Sequence, residues 1–191
     1  MAYRVGLPER KYIVAAIAIA AATAAILYFM GRNPIAENGE IKIWVGEVHG
    51  PDNSQHIADW YVFSHIIHGF LFAWLGIKLL PNSAAGTRLC LAVAIEASWE
   101  LLENSPIIIN RYREATAAFG YSGDSIVNSM ADIGWMVLGF AVARRIGFWK
   151  TVIIAVVLEL FTLWMICDNL TLNVLMLVWP VDAVREWQSA L

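Results

Sequence analysis

Five stretches of mostly apolar residues run through this chain, each near the ~20 residues a helix needs to cross ~30 Å of bilayer hydrocarbon. They cover about 12–30, 60–80, 89–109, 125–143 and 149–170. In lipid every backbone N–H and C=O must be satisfied within the segment, which leaves the helix as the structure open to such runs. Composition agrees. Of 191 residues 59% are hydrophobic and 15% charged, and the mean hydropathy is +0.60, too apolar for a soluble domain of this size. The sequence predicts an all-α, polytopic membrane helix bundle of about five transmembrane helices, forming a single integral membrane domain over 1–191. Residues 31–59 form an external loop. The tail 171–191 is too short to span and contains Pro180, so it reads as an interfacial helix with Trp179 and Trp187 at headgroup level.

The first span follows Arg4, Arg10 and Lys11 and exceeds the apolar core of a signal peptide, so it reads as a retained helix. Lys and Arg in short loops set the orientation. Lys78, Arg88, Arg144, Arg145 and Lys150 fall on the same side as the basic N-terminus, while 31–59 is acidic. The expected topology has the N-terminus in the cytoplasm. Arg111 and Arg113 are the exception, basic yet external, which suggests an anion-binding task. Net charge is −3 and the basic residues are dispersed, so nothing points to nucleic acid. Cys90 and Cys167 offer neither a disulfide framework nor metal spacing.

Ionisable residues inside the spans locate a site. Each costs roughly 2.5–3.5 kcal/mol on insertion scales, so its presence is a functional hypothesis by default. His65 and His68 lie in the second span, Glu96, Glu100 and Glu103 in the third, and Asp124, Asn128 and Asp132 open the fourth. Most of them fall roughly 6–14 Å below the outer face at 1.5 Å per residue. Spacings of i, i+3; i, i+4, i+7; and i, i+4, i+8 make one stripe on each helix. Three polar stripes cannot all face lipid, so a shared pocket follows.

Two imidazoles with carboxylates on neighbouring helices are a ligand set for a divalent metal, Zn, Mn or Fe. His65, His68 and Glu100 are the candidate ligands, and Glu100, Glu103 and Asp132 the candidate catalytic groups. Arg111, Arg113, Asp124 and Asn128 are the candidate substrate-binding groups. A metal-free anion pocket, a structural network and a proton relay remain alternatives. Gly120-Tyr121-Ser122-Gly123 looks like the nucleophile motif of rhomboid proteases, but no His follows His68 to serve as its base. Glu159 in the fifth span is a candidate relay carboxylate. His49 and His56 read as solvated loop residues.

The segments 63–70 (FSHIIHGF), 96–116 (EASWELLENSPIIINRYREAT) and 120–132 (GYSGDSIVNSMAD) resemble the UPF0314 family of alphaproteobacterial membrane proteins, over most of the chain. That resemblance implies a bacterial membrane protein and no activity. A looser likeness is to VanZ-like membrane proteins, linked to glycopeptide-antibiotic resistance, through Asp59 and His65, Glu100, Arg111 or Arg113, and Asp124 with Asn128. The spacing from Asp59 to His65 departs from that family's pattern. Three functions stay open. One is an enzyme at the outer face of the bacterial inner membrane, its pocket facing the periplasm, acting on an anionic or lipid-linked envelope substrate. Another is a non-catalytic subunit or assembly factor of a membrane protein complex. The third is a small carrier, which the lack of inverted repeats argues against.

Overall fold

The computed structural model describes residues 8–116 and 120–189, and in these the chain forms eight helices. They are α1 (Arg10–Phe29), α2 (Val62–Leu79), α3 (Ala85–Glu103), α4 (Pro106–Ala115), α5 (Ile126–Ile146), α6 (Phe148–Ile166), α7 (Leu170–Val178) and α8 (Asp182–Gln188). Four of them, α1, α2, α5 and α6, are long and apolar enough to cross a membrane. At 19 residues α3 is as long as its neighbours, about 28 Å, but carries Arg88, Glu96, Glu100 and Glu103. Its Glu96 and Glu100 are turned fully inward. Arg4 and the rest of 1–7 lie outside the described residues.

The stretch 89–109, expected as one span, is two helices. Ser105 adopts an extended backbone (ψ 152°) ahead of Pro106, which starts α4. Proline disfavours helical geometry in the residue before it and suits the first turn of the helix after it. Likewise α6 stops at Ile166, where Cys167 is left-handed (φ 52°), and the expected single tail helix is the pair α7 and α8.

Helices α2, α3 and α5 form the centre, with α2 packed chiefly on α5 and α1 packed chiefly on α3. The tightest crossing joins Gly69 of α2 to Gly139 of α5. A Cβ on Gly69 would lie 2.1 Å from the Met136 carbonyl oxygen, and one on Gly139 would lie 2.2 Å from that of Ile66. Small residues allow this backbone approach, as is common between membrane helices. Around and below the crossing Ile67, Phe70, Ala73, Val93, Met136, Phe140 and Ala143 make an apolar core.

The loop 31–59 is bound into the bundle. Backbone N–H groups of Ser125, Ile126 and Val127 donate to the carbonyls of Ser54, Asn33 and Pro34 at 2.8–3.1 Å, satisfying first-turn donors that no helix satisfies internally. Side chains of α5 and its cap then hold three successive loop carbonyls. Ser125 Oγ donates to Gln55 O (2.8 Å), Asn128 Nδ2 to His56 O (2.9 Å) and Trp135 Nε1 to Ile57 O (3.0 Å). Trp44, Trp60, Phe63 and Phe161 interlock over the N-terminal end of α2 and the C-terminal part of α6. His56, expected to be solvated, is 1% exposed, and its Nδ1 accepts from the Lys42 N–H.

Candidate metal centre

Above the glycine crossing the three polar stripes converge. Gly69 lies one turn below His65 and Gly139 two turns below Asp132, so the close approach of their helices brings the two side chains together. His65 Nε2 lies 3.7 Å from Asp132 Oδ2. From α3, Glu96 takes both histidines: its Oε1 is 2.6 Å from His65 Nδ1, and both its oxygens are 3.1 Å from His68 Nδ1. Glu100, one turn further along α3, has its Oε1 3.9 Å from His65 Nδ1.

Glu100 stands apart. Its side chain is wholly buried and neither carboxylate oxygen has a hydrogen-bond partner among the described residues. A buried unpaired charge costs several kcal/mol, so a group in this state calls for an explanation. Its neighbours supply one. His65, Glu100 and Asp132 each offer a ligand atom, all within 4.8 Å of one another; so do His65, His68 and Glu96, and so do Glu100, Glu103 and Asp124.

An outer ring of donors orients the remaining acids. Asn104, 1% exposed, donates through Nδ2 to Asp124 Oδ2 (2.9 Å) and Ser129 Oγ (3.3 Å), while its Oδ1 accepts the Asp124 N–H (2.7 Å). Tyr121 donates to Asp124 Oδ1 (2.8 Å). Tyr112 lies between Glu103 Oε1 (3.0 Å) and Asn173 Oδ1 (2.9 Å). Asp59, ahead of α2, accepts from the N–H groups of Tyr61 and Ser54 at 2.8 and 3.0 Å. Burial raises its pKa, and those two bonds oppose the rise.

The cluster floors a cavity of about 390 Å³. Asp59, Glu96, Glu103, Asp124, Asp132 and Asp168 line it, together with His49, His65 and His68; among the described residues no Lys or Arg does. Leu71, Phe72, Ile95, Trp99, Leu170 and Val174 make an apolar wall, of which Leu71, Ile95 and Val174 are exposed at the surface of the bundle. The tail forms one side, because Asn173 and Gln188 reach the cavity and Gln188 Nε2 donates to Asp168 Oδ1 (3.1 Å).

Similarity to known proteins agrees with the motifs. The family model described as "Protein of unknown function (DUF2585)" matches residues 27–190. A UPF0314 protein of Agrobacterium fabrum is 61% identical over 166 residues, 87% of this chain and 84% of that one. Another from Sphingopyxis alaskensis is 53% identical over 184 residues, 96% and 97% of the two chains. A third, from Novosphingobium aromaticivorans, is 52% identical over 192 residues, 96% and 95%.

The chain belongs to the UPF0314 family.

No solved structure matches it significantly, and the VanZ-like likeness gains no support from these relatives. Its apolar helices mark this UPF0314 chain as a bacterial membrane protein.

Of the residues expected at the site, His65, His68, Glu100, Glu103, Asp124 and Asp132 are gathered together. Asn128 lines the cavity but commits its amide nitrogen to His56 O. The two arginines are elsewhere. Arg111 Nε donates to Leu177 O and Arg113 Nε to Tyr121 O, so both fasten chain segments rather than line the cavity. Glu159 is no part of the cluster, and its carboxylate caps α7 by accepting from the N–H groups of Leu170 and Thr171, each at 3.0 Å. Sequence reasoning passed over Asn104, although it continues the Glu96–Glu100 stripe by another four residues. Tyr112 and Tyr121 carried no such signal.

Proposed function

We infer that this UPF0314 protein binds a divalent cation in the histidine–carboxylate cluster and uses it on a substrate that reaches the cavity from the lipid. The observation that carries the reading is Glu100, buried with both oxygens unpartnered beside His65 and Asp132. A cation supplies the missing partner. His65, Glu100 and Asp132 form the holding set, rich enough in oxygen to favour Mn²⁺ or Fe²⁺ over a thiolate-preferring ion. Such an ion polarises a carbonyl or phosphoryl oxygen. Glu103, on the cavity wall and hydrogen-bonded to Tyr112, is placed to take up a proton.

The cavity's acidic floor and apolar wall suit a lipid-linked envelope substrate with a polar head. Because Arg111 and Arg113 stay outside the lining, an anionic head group would be met by the cation and not by a guanidinium. The distribution of Lys and Arg in the loops supports an orientation with the N-terminus in the cytoplasm and the cavity toward the periplasm of the inner membrane.

Metal analysis of detergent-purified protein, prepared anaerobically and repleted with Mn²⁺, Fe²⁺ or Zn²⁺, tests the reading. At least one ion per chain is expected to survive gel filtration and to be lost in Asp132→Asn with the helical circular dichroism unchanged. Wild-type protein that retains no ion after repletion with any of the three metals overturns it.

A further inference from the structure

Glu100 belongs to two ligand groups at once, His65–Glu100–Asp132 on one side and Glu100–Glu103–Asp124 on the other. A single ion held through one Glu100 oxygen would satisfy one buried atom and leave the other orphaned. Both oxygens lack a hydrogen-bond partner among the described residues, and a carboxylate shared by two ligand groups has the form of a bridge.

Charge leads to the same arrangement. Glu96 is matched by the two histidines it contacts. Glu100, Glu103, Asp124 and Asp132 then crowd together, and among the described residues no Lys or Arg lines the cavity to offset them. One divalent ion leaves two negative charges uncompensated in a buried site, which is costly, whereas two ions balance all four. The second group also has its supporting shell. Tyr112 fixes Glu103, and Tyr121 and Asn104 fix Asp124, each through hydrogen bonds that leave lone pairs for a metal.

We propose that a second divalent cation sits among Glu100, Glu103 and Asp124, with the Glu100 carboxylate bridging the two ions. The separation would be roughly the 3.5–4 Å of two-metal centres. The proposal rests on the metal site inferred above, adds its nuclearity and makes Glu103 a ligand of the second ion instead of the proton acceptor.

Mn²⁺ is the probe. Full-length protein in detergent is dialysed against Mn²⁺, the bound metal is counted per chain, and the sample is examined by low-temperature electron paramagnetic resonance. Two ions with the signal of a spin-coupled pair are expected. The Glu103→Gln/Asp124→Asn variant, with its fold checked by circular dichroism, is expected to hold one ion and show an isolated six-line spectrum. One ion per wild-type chain with an isolated spectrum overturns the bridge and leaves the single site standing. Two uncoupled ions also overturn it, as does a folded double variant that still binds two. No bound Mn²⁺, Fe²⁺ or Zn²⁺ at all removes the metal site itself. Because the wild-type count decides alone, a variant that fails to fold does not rescue the proposal.

Discussion

The α6–α7 junction around Glu159 and the α3 site around Glu100 answer the same problem in opposite ways. Each puts a carboxylate on an apolar helix. At the junction the acid receives two backbone N–H groups and the Thr171 hydroxyl, all of them at the start of a helix whose dipole also favours a negative charge. At the α3 site the acid is more deeply buried and receives no hydrogen bond among the described residues. A charge inside a membrane helix is therefore not by itself a sign of function. What distinguishes the two is whether the fold has already provided partners.

The hardest way to break this comparison is to remove the scaffold of one side. Gly139→Leu forces side-chain atoms into the Ile66 backbone and should cost about 3 kcal/mol. The thermal transition in detergent should fall steeply, and metal binding should be lost with it. A variant that melts like wild type would mean the crossing does not hold His65 against Asp132. Next in size are the paired substitutions Glu100→Gln and Glu159→Gln, which should move stability in opposite directions. Metal-free Glu100→Gln should be more stable than metal-free wild type by about 1–3 kcal/mol, since it removes a buried acid that has no hydrogen-bond partner among the described residues. Glu159→Gln should lose about 1.5–3 kcal/mol, the value of hydrogen bonds to a charged group, and keep its metal. Denaturant titration of all three proteins gives the signs, and equal signs would dissolve the contrast.

Asn104→Ala probes the outer ring. Loss of a group that orients a ligand should weaken metal affinity about 10–100-fold with little change in secondary structure, read by competition with a chelating dye. The smallest effect belongs to the loop. The hydrogen bond from Lys42 holds the Asp52 carboxyl below its ordinary value of 3.8, so the unfolded state takes up this proton more readily than the folded one. The pair's contribution is complete above pH 3.8 and fades as pH falls through the lowered value. An acid titration of tryptophan fluorescence, reporting on Trp44 nearby, should show a small transition that Asp52→Asn abolishes.

Much of the site was legible in the sequence because membrane depth and helical period restrict where a charge can go. His65, Glu100 and Asp132 needed no more than those two rules to be placed in one layer, whereas Glu96 shared only the stripe and its pairing with both histidines was not foreseen. The break at Asn104–Ser105 had its signal in Pro106 but was hidden by the apolar run Ile107–Ile109. The capping role of Glu159 was illegible, since its main partners are backbone N–H groups that reach it only because the chain turns at Cys167. For a similar reason the loop could not be read. Its seat on α5 consists of carbonyls at residues 33, 34 and 54–57, a contact with no signature in side-chain pattern. The places of Arg111 and Arg113 were not legible either, since each Nε donates to a backbone carbonyl that the fold brings to it.

Helix α3 falls outside the four helices apolar enough to cross a membrane unaided, and that bears on how the protein is made. During synthesis α3 leaves the ribosome before α5, the source of Asp132 and of the Asp124-bonded end that meets Asn104. At that moment the segment can hide Glu96 behind the histidines of α2, but Glu100 has only the more distant His65 and lacks Asp132. Its lasting residence in the bilayer must then wait for α5, and a chain arrested between the two helices should present α3 to the membrane's quality-control proteases as an unassembled segment.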